Sequence, residues 1–163
     1  MDSTMRAYIE IGGCTGKTAN EFKLSNPEFD IFVFECDEKN IERLRQYDFN
    51  LIQKAAWSSA GLQRYYYGRE DGGTLYPKKK TGKINPNNYY DVETVDFAQW
   101  LQENFTKDDY IILAMNCEGS EYEIIEHLNK KGLTRWIDKW LVDWHWEKIG
   151  LPESEHDKIK AMI

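Results

Sequence analysis

The sequence has little that would place the chain in a membrane, on nucleic acid or in an oxidising compartment. No apolar run approaches the length of a membrane span, and the N-terminus lacks the apolar segment of a signal peptide. Positive charge is in deficit: the formal net charge is −7, which does not favour a surface for nucleic-acid phosphates. The one local basic run, at residues 78–80, is expected to be a solvated loop. The composition therefore predicts neither a membrane nor a nucleic-acid partner.

Cysteine is also scarce. The three cysteines, Cys14, Cys36 and Cys117, form no C-x-x-C pair and no zinc-type spacing with histidine. A reduced, cytoplasmic protein is the default expectation, although an extracellular location stays open. With 163 residues, of which 41% are hydrophobic and 14% aromatic, the chain has the length of one domain and enough apolar side chains for a core. We expect a single domain over residues 1–163.

Short apolar runs alternate with amphipathic segments along most of the chain. Strands are predicted at residues 7–11, 31–34, 54–57, 110–115 and 139–146, and helices at residues 18–24, 38–46, 96–104, 120–128 and from Ser154 onward. This order predicts an α/β fold: a doubly wound, mostly parallel sheet with helices on both faces. Residues 58–90 differ, because they are rich in Ser, Gly, Tyr, Lys and Asn. They are interpreted as an insertion, either a Tyr-rich substrate loop or a plain surface excursion, with a strand near residues 63–67 and a turn at 71–74.

The opening strand runs into a glycine-rich turn that starts a helix. Ile11 stands where a P-loop needs its first glycine, and Cys14 stands where a dinucleotide fingerprint needs its second. The pattern that fits is [DE]-x-G-x-x-x-G, supplied by Glu10, Gly12 and Gly16, with Glu35 closing the second strand. This is the layout of an S-adenosylmethionine site, in which Glu35 would accept hydrogen bonds from both ribose hydroxyls.

Ligands of open parallel sheets lie beyond the carboxyl ends of the strands. Residues near those ends are therefore the candidates for cofactor binding: Glu10, Gly12, Gly13, Cys14, Thr15, Gly16, Glu35, Cys36, Ala55, Ala56 and Asn116.

With these motifs in place, the chain resembles the FkbM-type S-adenosylmethionine-dependent methyltransferases. The matching pieces span about residues 7–146 and include 9–16, 34–35, 55–58, 73–75, 92–96, 117–122 and the segment around His145. The resemblance implies a Rossmann-like class I methyltransferase fold and O-methylation of sugars, glycans or other small molecules. Two departures stand out: Ala114 and Asn116 replace the lysine and aspartate of the family's usual K-x-D-x-E-G. The closing C-terminal hairpin of such enzymes is expected to be short or missing, since the chain stops at Ile163.

Methyl transfer to a hydroxyl needs a group that removes one proton. His145 is the first candidate for this base, and the alternative is a histidine that merely packs at a strand end. Glu118 is the second candidate, and its alternative is an acid that satisfies a helix N-terminus. Glu121 and Asp143 are interpreted as residues that could orient the acceptor.

A divalent ion held by Glu118 and Asp143 is conceivable, but hard-cation sites usually gather more carboxylates, so no metal is expected. The expected partner is a sugar, glycan or small-molecule acceptor. Ala114 and Asn116 keep a second hypothesis open, namely a catalytically degenerate S-adenosylmethionine-binding or interaction protein of the same fold.

Overall fold

The computed structural model describes residues 4–68 and 72–163. Within them, the chain forms eight strands, six α-helices and one 3-10 turn (Thr134–Trp136). In chain order the strands and helices are β1 (Arg6–Ile11), α1 (Lys17–Ser25), β2 (Asp30–Phe34), α2 (Glu38–Leu44), β3 (Asn50–Ile52), β4 (Ala55–Trp57), β5 (Gly61–Tyr66), β6 (Tyr89–Asp96), α3 (Phe97–Asn104), β7 (Tyr110–Met115), α4 (Ser120–Lys130), β8 (Lys139–Val142), α5 (Trp146–Ile149) and α6 (Glu153–Lys160).

The main sheet has five parallel strands in the order β3-β2-β1-β7-β8. The chain moves outward from β1 through β2 to β3, and it then returns to place β7 on the other side of β1. The strand order therefore reverses between β1 and β7, which is where open α/β sheets bind ligands. The predicted doubly wound, mostly parallel α/β fold is confirmed.

Both faces of this sheet are covered, because successive side chains of a strand point to opposite sides. From β1, Ala7, Ile9 and Ile11 face a large core with Phe97 and Leu101 of α3 and with Ile124, Ile125 and Leu128 of α4. Tyr8 faces a second core that contains Ala19 of α1 and Leu44 of α2. Burial on both faces explains the near-continuous apolar runs of β1, β2 and β7.

A second sheet corrects one strand assignment. Residues 54–57 were expected to form the third strand of the main sheet, but that position belongs to Asn50–Ile52. Ala55–Trp57 instead pairs in parallel with β6, and β6 pairs antiparallel with β5. The two short apolar segments are separated by only two residues, and neither their periodicity nor their composition differs enough to show which one joins the main sheet.

Two further boundaries differ from the prediction. The last strand ends at Val142, and residues 146–149 form helix α5, although the alternation of residues 139–146 predicted one long strand. The final helix begins at Glu153 after Pro152, one residue before the predicted start at Ser154. Residues 143–163 form these two helices and no strand, so no hairpin follows β8 there.

Segment 58–90 is partly regular. The strand predicted near residues 63–67 is β5, and β6 begins at Tyr89. The turn predicted at 71–74 includes residue 71, which lies outside the described residues; Thr74 forms an antiparallel bridge with Tyr66. The role of the segment as a substrate loop stays a prediction.

Candidate active site

A cavity of about 250 Å³ opens at the carboxyl ends of β1, β2 and β7. It lies at the point where the strand order reverses, as expected for this sheet. Its wall contains several residues predicted from the sequence: Gly12, Cys14, Glu35, Cys36, Ala55, Ala56, Asn116 and Glu118. Further wall residues come from segment 58–90, and among these are Tyr65, Gly72, Gly73, Thr74 and Leu75.

Glu35 is the acid of the wall that lies at the end of β2. Its carboxylate accepts hydrogen bonds from the backbone N–H groups of Cys14 (3.0 Å), Cys36 (2.9 Å) and Asp37 (2.9 Å). Burial raises the pKa of Glu35, and these backbone donors oppose the rise without cancelling it. The side-chain amide of Asn40 is a fourth and longer donor, at 3.5 Å. Since a carboxylate offers about four lone-pair sites, a ligand hydroxyl would take the place of this long contact.

The glycines of the turn have different roles. Gly12 has a φ of +88°, and a Cβ there would lie 2.2 Å from the carbonyl oxygen of Asn116, so the ends of β1 and β7 approach closely at this point. A Cβ at Gly13 would instead lie 2.3 Å from Val33, and one at Gly16 would lie within 2.8 Å of the side chains of helix α2 and Tyr47. Gly13 and Gly16 thus serve packing.

Thr15, in the same turn, is exposed. Among the described residues, the cavity wall includes none of Gly13, Thr15 and Gly16. Their predicted contacts with a cofactor stay predictions.

Glu10 lies on the buried side of the turn. It is 6% exposed, and within the described part of the chain its Oε2 atom has no hydrogen-bond partner. Burial, and then the charge of Glu35, raises the pKa of Glu10 to about 7. Its neighbour across the strand pair is Ala114 of β7, which offers no charge to the carboxyl.

His145 is buried at the start of helix α5, with 1% exposure. Its Nδ1 atom lies 3.0 Å from Oε1 of Glu121, and its backbone N–H donates to the same oxygen at 2.8 Å. A carboxylate only accepts, so Nδ1 carries the hydrogen and the neutral ring has its lone pair on Nε2. Nε2 has no hydrogen-bond partner among residues 4–68 and 72–163.

The pKa of His145 reflects opposing effects. Burial lowers it, but the hydrogen bond to Glu121 and the charges of Glu121 and Glu118 outweigh burial and leave it above the ordinary value. Glu121 itself is fully buried, and its Oε2 accepts from the backbone N–H of Gly119 at 2.9 Å. Glu121 therefore positions His145, and the predicted role in orienting an acceptor does not fit its burial.

Glu118 connects His145 to the cavity. It lines the wall, and its Oε1 lies 3.7 Å from Nε2 of His145. Its backbone has a φ of +55°, a left-handed conformation that costs a non-glycine residue energy and is frequent at functional sites. Asp143 is farther from the chemistry, because its side chain is 66% exposed and its Oδ2 lies 3.9 Å from Nε2.

Lys79 is the residue that the sequence interpretation missed. Its side chain is 2% exposed, and Nζ lies 2.6 Å from Oε2 of Glu118. The expectation of a solvated basic loop is therefore wrong at this position, whereas Lys78 and Lys80 are exposed. Three consecutive lysines carry no periodic pattern that marks the buried one; the only available indication was their position shortly after the matched residues Gly73, Thr74 and Leu75.

Most tyrosines of segment 58–90 contact each other. Tyr66 packs on Tyr89 and Tyr67 on Tyr90, with ring centroids 5.7 and 5.9 Å apart. Tyr65 lies in the cavity wall and its hydroxyl is 3.1 Å from Oδ2 of Asp37. A stacking surface for a ligand is therefore supported at Tyr65 and not along the whole tyrosine-rich segment.

Neither a metal centre nor a spanning helix is found in the described parts of the chain. Across residues 4–68 and 72–163, no three or more His, Cys, Asp or Glu side chains are grouped so that they could hold a metal ion. In the same residues, no helix combines the length and the apolar character needed to cross a bilayer.

The strand order, the cavity at its reversal and the acid at the end of β2 define an α/β protein with a cavity at the carboxyl edge of its sheet. The family model described as "Methyltransferase FkbM domain" matches residues 10–163, so the chain belongs to the FkbM methyltransferase family and is a methyltransferase. The resemblance inferred from the motifs is confirmed. Neither curated proteins nor solved structures gave a significant match to the chain.

Proposed function

We propose that this methyltransferase takes its methyl group from S-adenosylmethionine and transfers it to a hydroxyl of a sugar, a glycan or another small molecule. The observation that carries the proposal is the cavity at the switch point, which has Glu35 on one side and Glu118, backed by His145, on the other. Its volume of about 250 Å³ lies just below the usual range for small-molecule sites, roughly 300–1,000 Å³.

The donor half of the cavity fits a nucleoside. Glu35 would accept from a ribose hydroxyl in place of its long contact with the Asn40 amide, and Phe34, Ala55 and Leu75 supply apolar surface beside it for a base. When bound, S-adenosylmethionine supplies an electrophilic methyl group on a sulfonium. Glu35 and the neighbouring backbone would hold the nucleoside part, while Gly12 and Asn116 lie on the side where the strand order reverses.

The other half can remove a proton. In the proposed step the acceptor oxygen would gain the methyl group as the S–C bond of the sulfonium breaks and leaves a neutral thioether, and the hydroxyl proton would pass to Nε2 of His145. Glu121 then faces an imidazolium through Nδ1 and stabilises the positive charge. Nε2 is buried and unsatisfied by any described residue. His145 is not among the described residues of the cavity wall, so the proton would reach Nε2 by way of Glu118, whose Oε1 lies 3.7 Å from it.

The acceptor class follows from charge. A net charge of −7 and the carboxylates of Glu118 and Asp143 near Nε2 disfavour a strongly anionic acceptor. A neutral, sugar-like hydroxyl suits this site and agrees with the hydroxyl of Tyr65 in the wall. A cytoplasmic location agrees with the three cysteines, since no disulfide is formed among the described residues.

Two measurements test this proposal. Titration calorimetry with S-adenosylmethionine and with NAD distinguishes the cofactors, and binding of NAD in place of S-adenosylmethionine would refute the donor assignment. Transfer of labelled methyl groups onto a panel of sugars, glycans and small phenols then identifies the acceptor.

On an accepted substrate, we expect His145→Ala to lower kcat by about 10²–10⁴-fold, the usual contribution of a general base. His127→Ala is the matched control, because His127 lies on α4 and pairs with Asp96 at the start of α3, away from His145. Full turnover by His145→Ala would remove His145 as the base.

A further inference from the structure

Residues 72–79, here called the strap, connect the cavity to the turn at the end of β7. Gly72, Gly73, Thr74 and Leu75 of the strap line the cavity. Thr74 is 1% exposed and its hydroxyl donates to the backbone carbonyl of Glu118 at 2.8 Å. Tyr76 packs so closely that a Cβ on Gly119 would lie 2.9 Å from its ring. The strap therefore already touches the turn through its backbone and its packing.

Lys79 adds an ion pair to the contact between the strap and the turn. Its ammonium group is buried, donates to the carbonyl of Gly72 at the start of the strap, and pairs with Oε2 of Glu118 at 2.6 Å. A buried ammonium is costly unless an anion and hydrogen-bond acceptors compensate for lost water, and both are present here. Breaking such a pair by removing one partner is strongly destabilising, so the ion pair fastens the strap to the turn.

The same ion pair orients Glu118 for chemistry. Because Lys79 occupies Oε2, the other carboxylate oxygen is the one directed at Nε2 of His145, 3.7 Å away. The left-handed backbone of Glu118 persists only if its surroundings hold it, and the contacts from Thr74 and Lys79 do so.

We propose that Lys79 is a positioning residue for methyl transfer: it fastens the strap over the cavity and holds the Glu118 carboxylate beside His145. This role in catalysis rests on the proposed function, in which His145 is the base. Lys79 is not among the described residues of the cavity wall, so it acts through Glu118 and not on the substrate directly.

Two readouts test the proposal without donor or acceptor. The first is trypsin cleavage after Lys78, which is exposed but needs the strap to open before the backbone fits a protease. We expect Lys79→Met and Glu118→Gln to speed this cleavage by at least roughly tenfold. Lys80→Met, a change at the exposed neighbour, should leave the rate unchanged, and Lys79→Arg should restore most of the protection.

The second readout is NMR titration of the His145 imidazole. Lys79 offsets part of the negative charge of Glu118, so Lys79→Met should raise the pKa of His145, whereas Glu118→Gln should lower it. Lys80→Met should leave the titration as in wild type. If Lys79→Met does not fold, Lys79→Gln takes its place, and Glu118→Gln breaks the same pair from the other side.

The proposal is overturned if the Lys79 variants match Lys80→Met in both readouts. A variant whose strap opens while the titration of His145 is unchanged would make Lys79 a purely structural residue, and that result also refutes positioning. Failure of S-adenosylmethionine to bind in calorimetry would instead refute the proposed donor, and it would leave both strap readouts unaffected.

Discussion

The buried carboxyl of Glu10 predicts a pH dependence of stability whose size follows from its surroundings. Burial and the charge of Glu35 raise its pKa from 4.5 to about 7 in the folded chain. A shift of about 2.5 pKa units corresponds to roughly 3 kcal/mol of free energy of unfolding. Between these two pKa values the folded state keeps a proton that the unfolded state has lost. The free energy of unfolding should therefore fall as pH rises from 4.5 to about 7, and this contribution should stay flat above that.

Glu10→Gln removes this titration and keeps the size and polarity of the side chain. Urea unfolding, followed by tryptophan fluorescence at pH 5 and pH 8, measures the free energy for wild type and variant. We expect wild type to lose about 2.5 kcal/mol more than the variant between these conditions, because pH 5 already lies above the unfolded pKa. Glu21→Gln, at an exposed position of helix α1, is the control and should behave like wild type. Equal pH dependence in wild type and Glu10→Gln would refute a buried, protonated Glu10.

Ala114→Lys tests the same carboxyl from the neighbouring strand. Residues 10 and 114 are register partners on parallel strands, so a lysine there can place a cation beside the Glu10 carboxyl. The ionised carboxylate is then favoured, and the loss of stability between pH 5 and pH 8 should shrink. An unchanged loss in a folded Ala114→Lys protein would contradict the placement of Glu10.

Two more variants probe the site. Glu121→Gln should lower the pKa of His145 and so move the acid limb of the pH profile of kcat to lower pH. It should also lower kcat by on the order of 10²-fold, because the imidazole is less firmly oriented. Identical pH profiles for wild type and variant would exclude Glu121 as the partner of the base. Gly12→Ala should lower the free energy of unfolding by about 1–3 kcal/mol more than Gly132→Ala, measured in urea. Both glycines have positive φ, but only the Cβ at position 12 would clash with a backbone oxygen, that of Asn116. Equal losses would contradict a close approach at Gly12.

The sequence was sufficient for the parts of the fold that depend on local pattern. The runs that became β1, β2 and β7 are apolar on both faces, and the stripe of Phe97, Trp100 and Leu101 has helical spacing, so strand and helix were distinguishable. The choice between Asn50–Ile52 and Ala55–Trp57 as third strand of the main sheet was not local. It depends on which segment pairs with β2 and which with β6, and neither partner is encoded in the segment itself.

In the candidate site, too, some residues were predictable from local sequence and others depend on tertiary contacts. Glu35 and Gly12 were predictable, because a strand end followed by a turn determines their place along the chain. Lys79 was not, since its burial depends on Glu118, thirty-nine positions later, and on the carbonyl of Gly72. Glu121 was interpreted as a residue that could orient the acceptor, but only the tertiary contact with His145 reveals what its carboxylate does.

The two departures from the family pattern have separate consequences. Because Ala114 carries no charge, it offers no cation to the Glu10 carboxyl across the strand pair. The consequence concerns the protonation of Glu10 and the free energy of unfolding. Asn116 lies in the cavity wall and offers an amide where the family has a carboxylate, so it can hydrogen-bond a ligand but not accept its proton as a base. In the proposed mechanism that proton goes to His145, which is held by Glu121 at the end of the neighbouring strand. The acid–base chemistry therefore does not depend on residue 116. Restoring the carboxylate by Asn116→Asp should change ligand affinity more than it changes the pH at which kcat rises, and a shift of that pH with unchanged affinity would place the base at 116 instead.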